Sequence, residues 1–188
     1  MLPFLLVIIV FLELLGIIGA LFIFTSILLS LFWGSPYMGI PRKTLKQILA
    51  FGELNKNDIF YDLGAGDARV IISAKEDFRA QKITGYEISP WPYLKGTIMI
   101  RMVGLQNTVI FDRKNIFNTN LSDATFVYLY LYTLFIKERV APKLAEELKI
   151  GTKILSCSSQ IDCTKYPMFE LIKSDYIGKV HVYLYRKI

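Results

Sequence analysis

The residues best suited to chemistry form one short run, Asp62-Leu63-Gly64-Ala65-Gly66-Asp67-Ala68-Arg69, with Glu87 twenty residues beyond Asp67. Ile59-Phe60-Tyr61 leads into the run and Val70-Ile71-Ile72 follows it, so the segment reads as strand, tight turn and opening helix. Gly64 and Gly66 adopt backbone angles that other residues resist, and they leave room for a ligand against the main chain. The helix beyond them directs its unpaired N–H groups at whatever sits in the turn. Asp62 decides the ligand's charge. A carboxylate at that place repels a pyrophosphate and holds an ammonium group, which points to a small zwitterionic or cationic ligand. The dinucleotide fingerprint also needs a third glycine three residues after the second, and Arg69 stands there. NAD is disfavoured on both grounds.

The elements that must position these residues can be read on either side. Pro41 opens a helical pattern with Leu45, Ile48 and Leu49 on one face, and Gly52 closes it. Beyond the motif, further strands are expected over 82–86, 108–112, 125–132 and 151–157. Helices are expected from about 93 towards 104 and over 138–149, with Pro90-Trp91-Pro92 as a break. The fourth strand is apolar and aromatic throughout, as expected of a strand covered on both faces. Alternating strands and helices imply a parallel sheet with right-handed crossovers. Residues 169–176 and 179–186, joined by Ile177-Gly178, read instead as a terminal antiparallel hairpin. The expected fold is α/β: a Rossmann-like, seven-stranded, mostly parallel sheet ending in an antiparallel hairpin.

The first 33 residues differ from the rest. Glu13 is their one charged side chain, so the remainder holds 22 basic against 15 acidic side chains, a net of +7. Residues 3–32 form an apolar run longer than the ~20 residues that cross a bilayer core. It has no basic flank before it and no small-residue cleavage site after it, unlike a cleaved signal. The chain therefore reads as a transmembrane anchor over 1–33, contacting lipid through residues 4–32, and a domain over 34–188. Arg42, Lys43 and Lys46 follow the run, which makes this a single-pass membrane protein with its C-terminal domain in the cytoplasm. Glu13 is either a functional group within the span or an interfacial one just outside its core. The basic surplus suits a domain tethered against an anionic leaflet. No basic run with interleaved aromatics suggests nucleic acid. Cys157, Cys163 and the single His181 do not make a metal site, and both cysteines should be reduced in a cytoplasmic domain.

As a set, these motifs resemble the class I, seven-strand S-adenosylmethionine-dependent methyltransferases. Their first motif is an acidic residue followed by three spaced glycines, and Asp62 to Ala68 matches it with Ala68 in the last glycine's place. The resemblance implies S-adenosylmethionine as cofactor, with Asp62 serving the methionine ammonium and Gly64, Ala65 and Gly66 forming the turn beneath it. It implies that Glu87, followed by Ile88, takes the ribose hydroxyls. Asn115 and Ile116, after the third strand, fall where the family holds the adenine, although Asn115 also suits a turn.

A narrower resemblance is carried by Ser35-Pro36-Tyr37-Met38-Gly39-Ile40-Pro41, by the motif itself, by Tyr86-Glu87-Ile88-Ser89-Pro90-Trp91, and by Pro142 to Lys149 with Gly151-Thr152-Lys153. This ordered set is similar to the small membrane-anchored protein-lysine methyltransferases related to those acting on the ATP synthase c-ring protein and the adenine nucleotide translocase. It implies a membrane-protein lysine as acceptor. Tyr130-Leu131-Tyr132-Thr133 and Cys157-Ser158-Ser159 depart from that pattern. Tyr37, Trp91, Tyr130 and Tyr132 are the candidates to line the acceptor entrance, with ordinary packing as their alternative role. Two rival readings keep the fold and change the function: transfer to a lipid, quinone or other small molecule, or a catalytically inactive cofactor-binding module.

Overall fold

The computed structural model describes residues 2–32 and 39–188. A long helix, α1 (Leu2–Phe32), precedes α2 (Arg42–Phe51), β1 (Ile59–Leu63), α3 (Arg69–Glu76), β2 (Lys82–Tyr86), α4 (Pro90–Met102) and β3 (Ile110–Asp112). A 3-10 turn (Ile116–Asn118), β4 (Phe126–Leu129), α5 (Thr133–Phe135), a π turn (Ile136–Val140) and α6 (Ala141–Glu147) come next. The chain ends with β5 (Lys153–Cys157), β6 (Phe169–Ile177) and β7 (Val180–Lys187). The sheet has seven strands in the order β3-β2-β1-β4-β5-β7-β6. The first five are parallel, and β7 runs antiparallel to both β5 and β6. This is the expected Rossmann-like architecture with its terminal hairpin.

Side chains alternate across the sheet with the two-residue period of a strand, which divides the core into two layers. Phe60, Tyr128, Leu155 and Val182 face a layer that includes Leu45, Ile48, Ile71 and Ile100 from α2, α3 and α4. Tyr61, Leu63, Val127, Leu129 and Ile154 face the opposite layer with Ile136, Val140 and Leu144. Asp62 follows Phe60 by two residues and so belongs to the α3 side, at the carboxyl end of β1.

Four boundaries differ most from the expectation, each for a local reason. The fourth strand stops at Leu129, opposite Leu63, the last residue of β1, and paired on its other side with Ser156 of β5. The next residues turn away, with the Leu131 carbonyl accepting from Ser159 Oγ at 2.8 Å. The third strand begins at Ile110, the first residue with a partner on β2, Thr84. Pro90-Trp91-Pro92 is the first turn of α4, not a break. Proline lacks the N–H that a helix's first turn leaves unpaired, so both rings are tolerated there. The expected helix over 138–149 starts earlier, at Thr133, and widens into the π turn just before Pro142, which has no N–H to continue the helical ladder.

Candidate active site

The order of the sheet reverses between β1 and β4, and parallel α/β sheets bind ligands in the crevice such a reversal opens at the strands' carboxyl ends. An open cleft lies there, spanning about 880 Å³ when the adjoining solvent space is counted. Its floor is the turn after β1, held in place by main-chain bonds: Gly64 N and Ala65 N both donate to the Tyr86 carbonyl at 2.9 Å. Gly64 sits at φ +95°, a conformation that side chains disfavour. A Cβ on Gly85 of β2 would lie 2.9 Å from Ala65 Cβ, so the turn rests directly on the β2 backbone.

Two carboxyl groups meet in this floor with opposite satisfaction. Glu87 is buried and braced: Oε2 accepts from Gly66 N at 2.9 Å and Oε1 from Ser89 N at 2.7 Å. Burial pushes its carboxyl above the usual range, and those amides pull the other way. Asp62 is also buried, and its Oδ2 has no partner among the described residues. Burial first, then the neighbouring Glu87 and Asp67 carboxylates, push the Asp62 carboxyl well above its normal value. A buried carboxyl oxygen without a partner is costly, and a cationic ligand group beside it would repair that cost.

Asp67 and Arg69 close the turn's far side. Arg69 grips both Asp67 oxygens, through Nε at 2.8 Å and Nη2 at 2.7 Å, and Lys95 Nζ of α4 stands 3.0 Å from Asp67 Oδ2. Arg69 Nη1 also donates to the Ile40 carbonyl at 2.9 Å, tying the segment before α2 to the cleft. Arg69, which argues against a dinucleotide in the sequence, is thus a strut of the turn.

Ala68 explains the glycine it replaces. It sits at φ +66° with its methyl group fully buried in the core. A left-handed alanine costs about 1–2 kcal/mol relative to the right-handed form, which the packed methyl partly offsets. We expect Ala68→Gly to leave stability within about 1 kcal/mol, since relieved strain is opposed by the lost methyl and a freer unfolded chain. Ala68→Val places a β-branched side chain at positive φ and should lower the melting temperature markedly in differential scanning fluorimetry.

Asp62, Gly64, Ala65, Gly66, Glu87, Ile88, Asn115 and Ile116 all line the cleft. Asn115 does two things at once, since its Oδ1 accepts from Phe117 N at 3.1 Å and so caps the 3-10 turn. Of the acceptor candidates, Tyr130 lines the cleft. Tyr132 is 46% exposed and Trp91 is 47% exposed, and neither is among the lining residues. The strand ends before Tyr132, so the two-residue period that would align it with Tyr130 does not extend that far. Trp91 occupies the outer side of α4. Tyr37 lies outside the described residues.

The structure adds lining residues that the sequence had not offered as site candidates, among them Ile40, Arg69, Ser89, Lys114, Tyr128, Leu131 and Phe135. Tyr128 pairs with Asp62 in the β1–β4 register, a neighbour relation that only the strand order reveals. Beneath it, Cys157 Sγ donates to Tyr128 Oη at 3.4 Å, and burial pushes the thiol up to about 12. That thiol is a packing group, not a nucleophile. The segment after β4 is clasped by Ser159, whose Oγ is 3.0 Å from Thr133 Oγ1. The unusual Thr133 and Ser159 therefore form one feature.

Known proteins match this arrangement. The model of the ANTKMT methyltransferase domain matches residues 62–166. The chain is similar to a protein-lysine N-methyltransferase of Saccharolobus islandicus (strain REY15A), with 34% identity over 151 residues, covering 80% of this chain and 92% of that protein. It is similar to the Xenopus laevis lysine N-methyltransferase named for the C-subunit of ATP synthase, with 24% identity over 123 residues, covering 65% of this chain and 52% of that one. Among solved structures it is similar to an RNA methyltransferase from Salinibacter ruber in complex with S-adenosyl-L-homocysteine. There the TM-score is 0.70 and the identity 26%, covering 80% of this chain and 94% of the other.

Proposed function

The chain belongs to the ANTKMT methyltransferase family, and from that premise we propose that it is anchored in a membrane by α1 and methylates a lysine of a membrane protein. In this reading residues 1–33 are the anchor, residues 34–188 are the catalytic domain, and that domain lies on the cytoplasmic side. Support for the anchor comes from the 26-residue apolar stretch Phe4–Leu29, whose side chains project away from the domain over most of its length. Glu13 falls inside that stretch.

The cofactor is S-adenosylmethionine, and the cleft's chemistry suits its parts. Asp62 takes the methionine ammonium, and the observation that carries the proposal is its buried, unpartnered Oδ2. The Gly64-Ala65-Gly66 backbone forms the floor. Glu87 has lone pairs beyond those used by Gly66 N and Ser89 N, and these accept from the ribose hydroxyls. Ile88, Asn115 and Ile116 border the adenine.

When bound, S-adenosylmethionine supplies an activated sulfonium methyl group. The protein's remaining task is to hold a neutral amine in line with it. A lysine entering the cleft meets Tyr130, Leu131 and Phe135, and such a water-poor aromatic wall favours its uncharged form. Tyr130 is the acceptor residue we retain. Tyr130→Ala should raise KM for the acceptor or lower kcat, with cofactor affinity by calorimetry unchanged. An equal kcat/KM would remove it from the site.

Whether the acceptor is protein or lipid can be tested with membranes given methyl-labelled cofactor. Label in the protein pellet supports the lysine reading. Label in the organic extract would transfer the proposal to a lipid or quinone.

A further inference from the structure

One helix carries apolar side chains on two opposite sides. Pro92, Gly96 and Ile100 of α4 are buried toward the sheet, yet the opposite side carries Trp91, Leu94, Ile98 and Met102, exposed by 47, 45, 49 and 81%. Their spacing of three, four and four residues aligns them in one stripe. A contiguous exposed apolar stripe opposite a helix's buried face marks a contact surface.

The neighbour of that stripe identifies its cover. α1 packs against α4, and the Trp91 backbone N–H donates to the buried Ser26 Oγ at 3.0 Å. Ser26 stands three residues before Leu29, the end of the apolar stretch. At 1.5 Å per residue that is about 4.5 Å along the helix axis. The first turn of α4 is therefore level with the end of the stretch, the depth at which tryptophan concentrates in membrane proteins. Arg101 on the same helix, and the domain's net +7, favour an anionic lipid surface.

We propose that the outer face of α4 lies on the bilayer surface and fixes the cleft against the membrane. This rests on the reading of α1 as a membrane span. Ser89 and Pro92 line the cleft at the same end of α4, so the contact sets the cleft's height above the bilayer. Acceptor lysines are thereby selected by their depth as well as by their sequence.

The test uses the full chain with Trp33→Phe, which leaves Trp91 as its one tryptophan. It is reconstituted into vesicles of phosphatidylcholine and phosphatidylglycerol, with or without bromine near the headgroup end of the acyl chains. The expected result is loss of most Trp91 emission to brominated lipid, with little further loss to aqueous acrylamide. Emission unaffected by bromine overturns the proposal. Acrylamide access would then mean that α4 faces water, and acrylamide protection that protein, such as a second copy, covers it. Flotation of the same sample separates the two readings. A protein that does not float with the vesicles overturns the span itself, whereas one that floats with Trp91 insensitive to bromine overturns only the placement of α4.

Discussion

Asp62→Asn is expected to weaken S-adenosylmethionine binding by about 10–100-fold, from the loss of a charge-assisted contact worth about 1.5–3 kcal/mol. The same change should make the ligand-free protein more stable at neutral pH. The sign follows from burial. The native carboxyl is held well above its normal range by desolvation, Glu87 and Asp67, so the folded state binds a proton more tightly than the unfolded state does. Such a group supports folding below the unfolded pKa of about 3.9, and its contribution is lost as pH rises from there through the native value. Asparagine carries no such loss. The melting-temperature advantage of the variant should therefore be small near pH 4 and should grow with rising pH until the native carboxyl is ionised. Cofactor affinity of the unaltered protein should rise over the same interval, because an ammonium group selects ionised Asp62. Calorimetric titration and thermal scans across pH check both parts together. A variant that binds as tightly as the parent would remove Asp62 from the cofactor site.

Glu87→Ala should act in the opposite direction on stability. Its carboxylate is the acceptor for two main-chain donors, Gly66 N and Ser89 N. Truncation strips both, and each buried unpaired amide costs about 1–3 kcal/mol. The relief of burying one carboxyl offsets part of this, leaving an expected loss of about 2–4 kcal/mol. The first-motif turn and the start of α4 would loosen together, because Glu87 is their common brace. Cofactor binding should fall below calorimetric detection, since both the ribose partner and the shape of the floor are lost. Chemical denaturation measures the first effect and titration the second. The two carboxyl groups thus separate. One braces the fold, and the other strains it in a way that a cationic ligand group would relieve.

The contrast also marks what a sequence can and cannot disclose. The motif residues from Asp62 to Gly66, with Glu87, Ile88, Asn115 and Ile116, were legible because each lies at or just beyond a strand end, where local pattern dictates position. The sheet was legible because strand and helix periods alternate until the final hairpin. Arg69 was legible only as a missing glycine. Its bond to the Ile40 carbonyl joins segments 29 residues apart, and no local pattern encodes such a pairing. Tyr130 and Tyr132 were both expected at the end of the fourth strand, but the ladder ends at Leu129, and of the two Tyr130 lines the cleft. Trp91 was named as an acceptor candidate, but its place on a helix was hidden by its flanking prolines, which read as a break and proved to be a helix start. The Thr133–Ser159 clasp joins the residues after two different strands, so neither residue looked purposeful alone.

The substrate is tested most directly in cells that carry the gene and in cells that lack it. Membrane proteins from both, digested and analysed by mass spectrometry for methylated lysines, should differ. Methyl-lysine at one or a few sites near the ends of membrane spans should be present with the gene, absent without it, and restored by the intact chain but not by Asp62→Asn. Identical methyl-lysine patterns in the two membrane preparations would contradict methylation of a membrane-protein lysine.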